Sequence, residues 1–155
     1  MKFLAVDLCA SSGRTIVGNV ENGKIELTET HRFENSMLDV NGEKHWDAEA
    51  LVKEIKHGID LAGPVDGIGI DTWGVDYGLI DKDGNLLDKP FAYRDARNEP
   101  AMAEVYKIIS KDELYSIAGL QEMTFNTVFQ VMADKVNRPE ILEKADRLLF
   151  MPQLL

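Results

Sequence analysis

The segment Phe3–Asn19, FLAVDLCASSGRTIVGN, most constrains how this chain can fold. It begins with a short apolar run, which is typical of a strand buried on both faces. It then passes through small residues from Cys9 to Gly13 and resumes as the strand-like Thr15–Val17. This order predicts a strand, a tight turn and an antiparallel return strand. An ordinary hairpin with a polar tip would fit the same residues.

The predicted turn has the composition of a phosphate-binding loop. Its side chains are small, so backbone N–H groups and the hydroxyls of Ser11 and Ser12 can approach an anionic group closely. Arg14 can pair with a phosphoryl group through its planar guanidinium. Asp7, at the end of the buried strand, is placed to hold a hydrated Mg²⁺ ion, which favours carboxylate, water and phosphate oxygens. By itself this short segment is a weak signal of such a site.

Composition limits the class of protein. The 155 residues include 17 basic and 27 acidic side chains, for a formal net charge of −10, and no basic cluster is present. We therefore expect neither nucleic acid nor an anionic membrane as a partner. The single cysteine, Cys9, excludes an internal disulfide framework and fits a reducing compartment. With no secretory signal and no apolar run of membrane-spanning length, the sequence predicts a cytoplasmic protein.

The rest of the chain contains clear signals for turns, helices and strands. Asn22-Gly23 predicts a type I′ turn that leads into a third strand, Lys24–Phe33. Asp47 is the expected N-cap of a helix ending at Gly63-Pro64, and Val65–Asp71 is expected to return parallel to the first strand. The further expected elements are a hairpin at Leu79–Leu87, helices at Pro100–Ile109, Lys111–Ala118 and Thr127–Val136, a short helix from Pro139, and a buried strand at Arg147–Met151.

The order of these elements predicts the fold class. Three antiparallel strands, a helix, a parallel strand, an inserted section and a last strand are the order of half of a ribonuclease-H-like, actin-type ATPase. This is an α/β fold with a mixed sheet and helices. Pro152–Leu155 has the composition of an opening helical turn, which is too short to be stable alone. We therefore expect residues 1–155 to be an incomplete domain of a longer polypeptide.

A second candidate site follows the expected parallel strand. The segment IDTWGVDY lies where that strand ends, the usual place for a ligand in an open α/β sheet. Gly74 would allow a ligand to approach the backbone, and Trp73 offers an apolar face to a sugar ring. Asp76 adds a carboxylate. A strand-end turn with a tryptophan in the core is the alternative interpretation.

Two loop segments add further candidate binding residues. In YRDAR, Arg94 and Arg97 flank Asp95, an arrangement that fits a substrate clamp or an ion-paired loop equally well. Asn126 lies just ahead of a predicted helix, where asparagine most often serves as an N-cap. The three histidines have no metal-ligand spacing with one another or with Cys9.

These motifs together resemble the bacterial rhamnulokinases, which belong to the FGGY carbohydrate kinases. The resemblance covers nearly the whole chain, and its most specific part is IDTWGVDYG. The similar segments are Val6–Leu8, Ala10–Arg14, Gly69–Tyr77, Tyr93–Arg97, Phe125–Thr127 and Leu149–Pro152.

The resemblance implies phosphorylation of L-rhamnulose at its 1-hydroxyl by ATP with Mg²⁺, giving L-rhamnulose 1-phosphate. Gly74 matches a substrate-contacting glycine, and Asp7 matches an acidic residue associated with Mg²⁺. The general base of the family lies in a later His-Asp-Thr segment, and the adenine site and second kinase domain also lie elsewhere. No catalytic residue is therefore expected within the chain, which alone should be inactive. The residues that match the ATP-phosphate turn are Ala10, Ser11, Ser12, Gly13 and Arg14.

One position departs from the family pattern. Cys9 stands where the family usually has glycine, and a positive φ there would cost about 1–2 kcal/mol. We expect β-region backbone at Cys9, because a strained residue would be a poor foundation for the first hairpin. A different functional class stays open, namely a non-catalytic sugar- or nucleotide-sensing module of the same fold. In such a module, Cys9 in place of glycine would reflect the loss of the phosphate site.

Overall fold

The computed structural model describes residues 1–155, which form eight strands and six helices. The strands are β1 (Lys2–Leu8), β2 (Ser12–Glu21), β3 (Lys24–Glu34), β4 (Leu38–Val40), β5 (Glu43–His45), β6 (Gly67–Asp71), β7 (Tyr77–Ile80) and β8 (Arg147–Phe150). The helices are α1 (Ala48–Ala62), α2 (Asn98–Tyr106), α3 (Lys111–Ala118), α4 (Thr127–Asn137), α5 (Pro139–Lys144) and α6 (Met151–Leu154). None of the helices combines the length and apolar composition needed to cross a membrane.

A mixed four-stranded sheet of order β3-β2-β1-β6 carries the first predicted hairpin. β1, β2 and β3 are antiparallel, and β6 pairs parallel with β1, as the sequence predicts. Asn22 and Gly23 both have positive φ, 51° and 74°, which is the backbone of a type I′ turn. Because β1 and β6 are parallel, their carboxyl ends place Asp7 and Asp71 in register at one edge of the sheet.

Helix α1 covers one face of this sheet. Leu4, Val6 and Leu8 of β1 are buried beneath it, with Ile55 packed against Val6 and Leu8. The expectation that β1 is buried on both faces is wrong. Alternate side chains of a strand point to opposite faces, and Phe3 on the uncovered face is 41% exposed.

The ends of α1 follow the sequence signals. The Asp47 side chain accepts a hydrogen bond from the backbone N–H of Ala50 at 3.0 Å, which caps the first turn. Gly63 ends the helix with a φ of 64°. Between these ends, Gly58 brings the helix close to the sheet, since a Cβ added there would lie 2.3 Å from Cγ2 of buried Thr15.

The close contact at Gly58 leads to a stability prediction. Within a helix, alanine is more stabilising than glycine by about 1 kcal/mol because of its higher helix propensity. Overpacking a core, however, is destabilising by about 1–3 kcal/mol. The Thr15 side chain cannot move away from the new Cβ without losing a hydrogen bond, because its hydroxyl is bonded to that of Thr30 at 2.7 Å. We expect Gly58→Ala to lower the free energy of unfolding by about 1–2 kcal/mol in urea denaturation.

A matched substitution controls for the change of residue type. A Cβ added at Gly69 meets no atom within 4 Å, so Gly69→Ala is expected to be neutral or slightly stabilising. The double variant Gly58→Ala/Thr15→Ala should lose less than the two single losses combined, because removing the threonine methyl and hydroxyl makes room for the new Cβ. Full additivity would contradict the proposed contact.

A separate two-stranded sheet corrects two expectations. β7 pairs mainly with β8, from Tyr77↔Phe150 to Ile80↔Arg147, and the expected Leu79–Leu87 hairpin is reduced to the single bridge Ile80↔Leu86. β8 is not a buried strand, since Phe150 is 45% exposed. Three of the four residues of β8 are exposed, whereas three of the four residues of its partner β7 are buried.

The helices of the second half are joined by a buried ion cluster around Asp134 of α4. Its carboxylate accepts hydrogen bonds from Arg97, from Arg138 at 2.7 Å and from the Tyr77 hydroxyl at 2.5 Å. Both guanidinium groups lie over the ring of Phe91, at 3.6 and 4.4 Å from its centre. Burial acts to raise the pKa of Asp134, but the charge of Arg97 and the hydrogen bonds outweigh it, so that pKa is lowered.

Candidate functional site

The turn between β1 and β2 is shorter than expected, because β2 already begins at Ser12. The Cys9 N–H donates to the Ser12 carbonyl at 2.8 Å, and Asn35 fastens the turn by donating to the carbonyls of Cys9 and Ser11 at 2.8 and 3.1 Å. By contrast, the N–H groups of Ala10 and Ser11 donate to no acceptor in the chain. The turn thus presents adjacent free backbone donors, the arrangement in which proteins bind anions.

Gly13 has a structural role in this hairpin. A Cβ added there would lie 2.3 Å from the ring of Phe33 and 2.7 Å from Leu8. The absence of a side chain therefore lets the core pack directly beneath the turn. The hydroxyls of Ser11 and Ser12 form no hydrogen bonds within the chain, so they are available beside the free amides.

Asp7 and Arg14 form an ion pair at the base of the turn. Arg14 Nε donates to Oδ2 of Asp7 at 2.8 Å, and Nη2 forms an ion pair with the same oxygen at 2.6 Å. The other oxygen, Oδ1, has only the Cys9 thiol near it, at 3.9 Å. The pair is partly exposed, so one carboxylate oxygen and one guanidinium nitrogen stay free for other partners.

The backbone of Cys9 does not have the positive φ that would strain it. The non-glycine residues with positive φ are Asn22, Asn41 and Val75, and Cys9 is not among them. The thiol is exposed and free. A left-handed backbone at Cys9 is therefore excluded as an obstacle to the turn.

The second candidate site is a cleft of about 770 Å³ next to the end of β6. Trp73, Gly74, Val75 and Tyr93 line this cleft. The remaining lining residues are Arg94, Asp95, Ala96, Asn98, Glu99, Thr124 and Phe125. The cleft thus combines aromatic surfaces with polar groups, as sites for small ligands do.

Gly74 opens onto this cleft. No atom of the chain lies within 4 Å of a Cβ added at this position. The space that a side chain would occupy at Gly74 is therefore left open by the protein. Val75 next to it has a φ of 72°, which is strained for a β-branched residue.

Two predicted site residues do not line the cleft. Asp76 is fully buried, and the indole N–H groups of Trp46 and Trp73 donate to its Oδ2 at 2.6 and 2.9 Å. Asn126 donates to the Gln121 carbonyl at 2.9 Å and faces a neighbouring cavity instead. A direct contact between either side chain and a ligand in the cleft is therefore not retained. Asn126 is the N-cap residue of α4, but its side chain forms no capping hydrogen bond.

The YRDAR loop is held in shape mainly by its own hydrogen bonds. Asp95 lines the cleft, but its two oxygens accept the backbone N–H groups of Lys44 and Arg97 at 2.7 and 2.8 Å. Arg97 turns away to Asp134. Arg94 lies at the cleft, where its Nε donates to the Tyr93 hydroxyl at 3.2 Å. Of the two cations, only Arg94 can reach a ligand there.

The sequence interpretation missed several residues that build both sites. Asn35 fastens the turn, and Gln130 donates to Asp76 at 2.9 Å as well as to backbone carbonyls. Trp46 is a third such residue, since its indole N–H donates to Asp76 at 2.6 Å. The sequence offered no local signal for these roles, because each depends on a partner far along the chain.

The turn and the cleft share one core cluster. Ala10 from the turn and Trp73 and Tyr93 from the cleft all pack against the cluster that contains buried Trp46. The two sites therefore lie at the same end of the sheet, beyond the carboxyl ends of β1 and β6. Ligands of open α/β sheets bind at this end.

The whole fold matches solved sugar kinase structures. The structure of gluconate kinase from Lactobacillus acidophilus superimposes with a TM-score of 0.81 at 12% identity, covering 96% of this chain and 31% of that protein. At this identity the likeness concerns the fold alone, and it confirms the predicted α/β class.

Residues 2–155 match the sequence profile described as the N-terminal domain of the FGGY family of carbohydrate kinases. The chain therefore belongs to the FGGY carbohydrate kinase family. It is similar to rhamnulokinases, with 45% identity over 157 residues to that of Bacteroides thetaiotaomicron and 46% over 154 residues to that of Halalkalibacterium halodurans. These alignments cover 99% and 96% of this chain but 32% of each relative, so the chain spans about a third of their length.

Proposed function

We propose that this chain supplies the phosphate-binding turn and one wall of the sugar cleft of an ATP-dependent kinase. The proposed reaction converts L-rhamnulose to L-rhamnulose 1-phosphate. The observation that carries the proposal is the presence of free turn amides and an open cleft at Gly74 beyond the same end of the sheet. The similarity to rhamnulokinases supports the choice of sugar.

Each site has a distinct task in phosphoryl transfer. The N–H groups of Ala10 and Ser11, with the hydroxyls of Ser11 and Ser12, would bind phosphate oxygens of ATP. Arg14 would add a charged donor through Nη1, the nitrogen that Asp7 does not hold. In the cleft, Trp73 and Tyr93 would offer apolar surface to the sugar, and Arg94 would donate to a hydroxyl. Positioning and charge stabilisation are the main sources of catalysis in such reactions.

The residues present fit a hydrated Mg²⁺ at Asp7. Its Oδ1 has no nitrogen donor and is free to accept a hydrogen bond from a metal-bound water, while Arg14 balances the charge at Oδ2. No group of three or more acidic, histidine or cysteine side chains is arranged to hold a metal directly. This fits an ion bound mainly by water and phosphate, as Mg²⁺ prefers. When bound, Mg²⁺ would neutralise charge on the transferring phosphoryl group.

We further propose that residues 1–155 are part of the N-terminal kinase domain of a longer polypeptide. The general base and the adenine site would come from other segments and from a second kinase domain. The match to the N-terminal domain profile and the length of the relatives support this division. Absence of a base segment from the complete polypeptide would instead favour the sugar- or nucleotide-sensing module.

Substitution of Gly74 tests the proposed sugar cleft in the complete polypeptide. Because a Cβ at this position meets no protein atom, Gly74→Val should leave the fold intact while filling space proposed for the ketose. We expect the KM for L-rhamnulose to rise about tenfold or more, with Gly74→Ala intermediate and the KM for ATP nearly unchanged. A coupled assay with each substrate varied in turn measures both constants.

Two results would count against this assignment. If the KM for ATP rises while the KM for the ketose stays the same, the cleft binds ATP and not the sugar. If the unaltered polypeptide phosphorylates none of a panel of ketoses but still binds one, the sensing module becomes the better description.

A further inference from the structure

The Asp76 carboxylate lies at the centre of the hydrogen bonds behind the cleft. Its Oδ2 accepts three N–H groups, from the Trp46 indole at 2.6 Å, the Trp73 indole at 2.9 Å and the Tyr93 backbone at 3.1 Å. Its Oδ1 accepts from Gln130 Nε2 at 2.9 Å. The side chain is fully buried, and no cation forms an ion pair with it. Such a costly group is stabilised here only by neutral donors.

Most residues held by Asp76 belong to the walls of the cleft. Trp73 and Tyr93 line the cleft directly. Gln130 extends the network, since its Nε2 also donates to the carbonyls of Val75 at 3.3 Å and Phe125 at 2.9 Å, two further lining residues. One carboxylate therefore connects four lining residues, two directly and two through Gln130.

The rings behind the wall are also packed together. The ring centres of Trp46 and Trp73 are 4.3 Å apart, and those of Tyr93 and Phe125 are 5.7 Å apart. Because each indole N–H is bound to Asp76, neither tryptophan ring can turn without losing a buried hydrogen bond. The orientation of the Trp73 face toward the cleft thus depends on this carboxylate.

An asparagine could not replace Asp76. In either orientation the amide nitrogen of an asparagine would face donors, namely Gln130 Nε2 at the position of Oδ1 or the three N–H groups at the position of Oδ2. Gln130 cannot reverse its amide to accept, because the same nitrogen is held by the Val75 and Phe125 carbonyls. The chemistry of the site therefore requires a carboxylate.

We propose that Asp76 is a positioning residue that fixes the aromatic wall of the cleft for a neutral polyhydroxylated ligand. The ligand class rests on the proposed function, whereas the positioning itself is a property of this chain. Asp76 touches no ligand. It acts by holding Trp73 and Tyr93 in the orientation in which their faces border the cleft, so that a sugar binds to a preformed surface.

The first test is spectroscopic and does not depend on activity. The tryptophans of residues 1–155 are Trp46 and Trp73, and each contributes one assigned indole resonance to the ¹H–¹⁵N spectrum of the complete polypeptide. In Asp76→Asn, both indole resonances should shift, and both protons should exchange with solvent faster. Asp134→Asn is the matched control, because Asp134 is an equally buried carboxylate that binds neither tryptophan. It should leave both indole resonances in place.

The second test separates the two substrates in the complete polypeptide. We expect Asp76→Asn to raise the KM for the ketose about tenfold, with the KM for ATP changed less than about twofold. Asp134→Asn should lower Tm without this selective effect. If Asp76→Asn does not fold, Trp46→Phe removes one donor from Asp76 without removing a cleft-lining atom. It should shift the Trp73 indole resonance and raise the ketose KM by a smaller factor.

The inference is overturned if Asp76→Asn lowers Tm while the indole resonances and the ketose KM stay unchanged. An unchanged Trp73 resonance in Trp46→Phe would overturn it equally. If the unaltered polypeptide binds no ketose, the proposed function fails, but the indole resonances still decide whether Asp76 positions the wall.

Discussion

Replacing Asp134 with alanine is expected to lower the free energy of unfolding by about 3–5 kcal/mol at neutral pH, because breaking a buried ion pair leaves uncompensated charge. Asp134 is 1% exposed and is bonded to Arg97, Arg138 and Tyr77. Without it, two guanidinium groups face each other beside Phe91 with no buried anion between them. Urea denaturation of the 155-residue chain measures the loss.

The pH dependence of this loss has a definite sign. The folded-state pKa of Asp134 is lowered, since its bonds to Arg97, Tyr77 and Arg138 outweigh burial. Its contribution is therefore present above the unfolded-state pKa of about 3.9 and is lost as pH falls through the folded-state value. We expect the difference between Asp134→Ala and the unaltered chain to shrink steadily below about pH 4.

Asp88 provides the matched control for the Asp134 prediction. It is a second carboxylate partner of Arg138, but its side chain is 44% exposed. Exposed pairs contribute about 1 kcal/mol or less, so Asp88→Ala should have a small effect. Equal losses in the two variants would show that the Asp134 cluster contributes no more than a surface pair.

Asp7→Asn is expected to reduce kcat of the complete polypeptide by about 10–100-fold, the usual effect of losing an outer-shell partner of a catalytic metal. The reason is that Oδ1 is proposed to hold a Mg²⁺-bound water, whereas Asp7 lies outside the cleft. The KM for L-rhamnulose should stay nearly the same, and the Mg²⁺ concentration for half-maximal rate should rise. A rate assay with Mg²⁺ and ketose titrated separately distinguishes these effects.

The control for Asp7 must remove one negative charge elsewhere. Asp146 is an exposed carboxylate bonded to Arg147, away from both the turn and the cleft. Asp146→Asn should leave kcat unchanged. A loss in Asp7→Asn that is confined to ketose affinity, or an unchanged rate, would contradict the proposed metal role.

Local sequence signals were sufficient to predict the main elements in the first half of the fold. The first hairpin, the Asn22-Gly23 turn and the capped helix α1 follow from contacts between residues close along the chain. Short-range hydrogen bonds and backbone preferences decide such features, so they can be predicted directly from the residue types. The motif resemblance added the family, which the profile match confirms.

Features that depend on distant partners could not be predicted in this way. The specific motif beside Gly74 predicts that Asp76 contacts the substrate. Its actual partners include Trp46, 30 residues earlier, and Gln130, 54 residues later. No periodicity or spacing in the sequence connects these positions. The same limit applies to Asn35 at the turn and to Arg97, which was grouped with Asp95 but binds Asp134.

The first hairpin, the helix after it, the small-residue turn after Asp7 and the glycine three residues beyond β6 can be recognised from residue types alone. The tertiary structure alone decided which carboxylates are free and which are buried. Asp7 keeps one oxygen open at the edge of the sheet, while Asp76 and Asp134 are enclosed by donors from other elements. The physical reason is that burial and hydrogen bonding, which decide what a carboxylate can do, arise from packing between elements that are far apart along the chain.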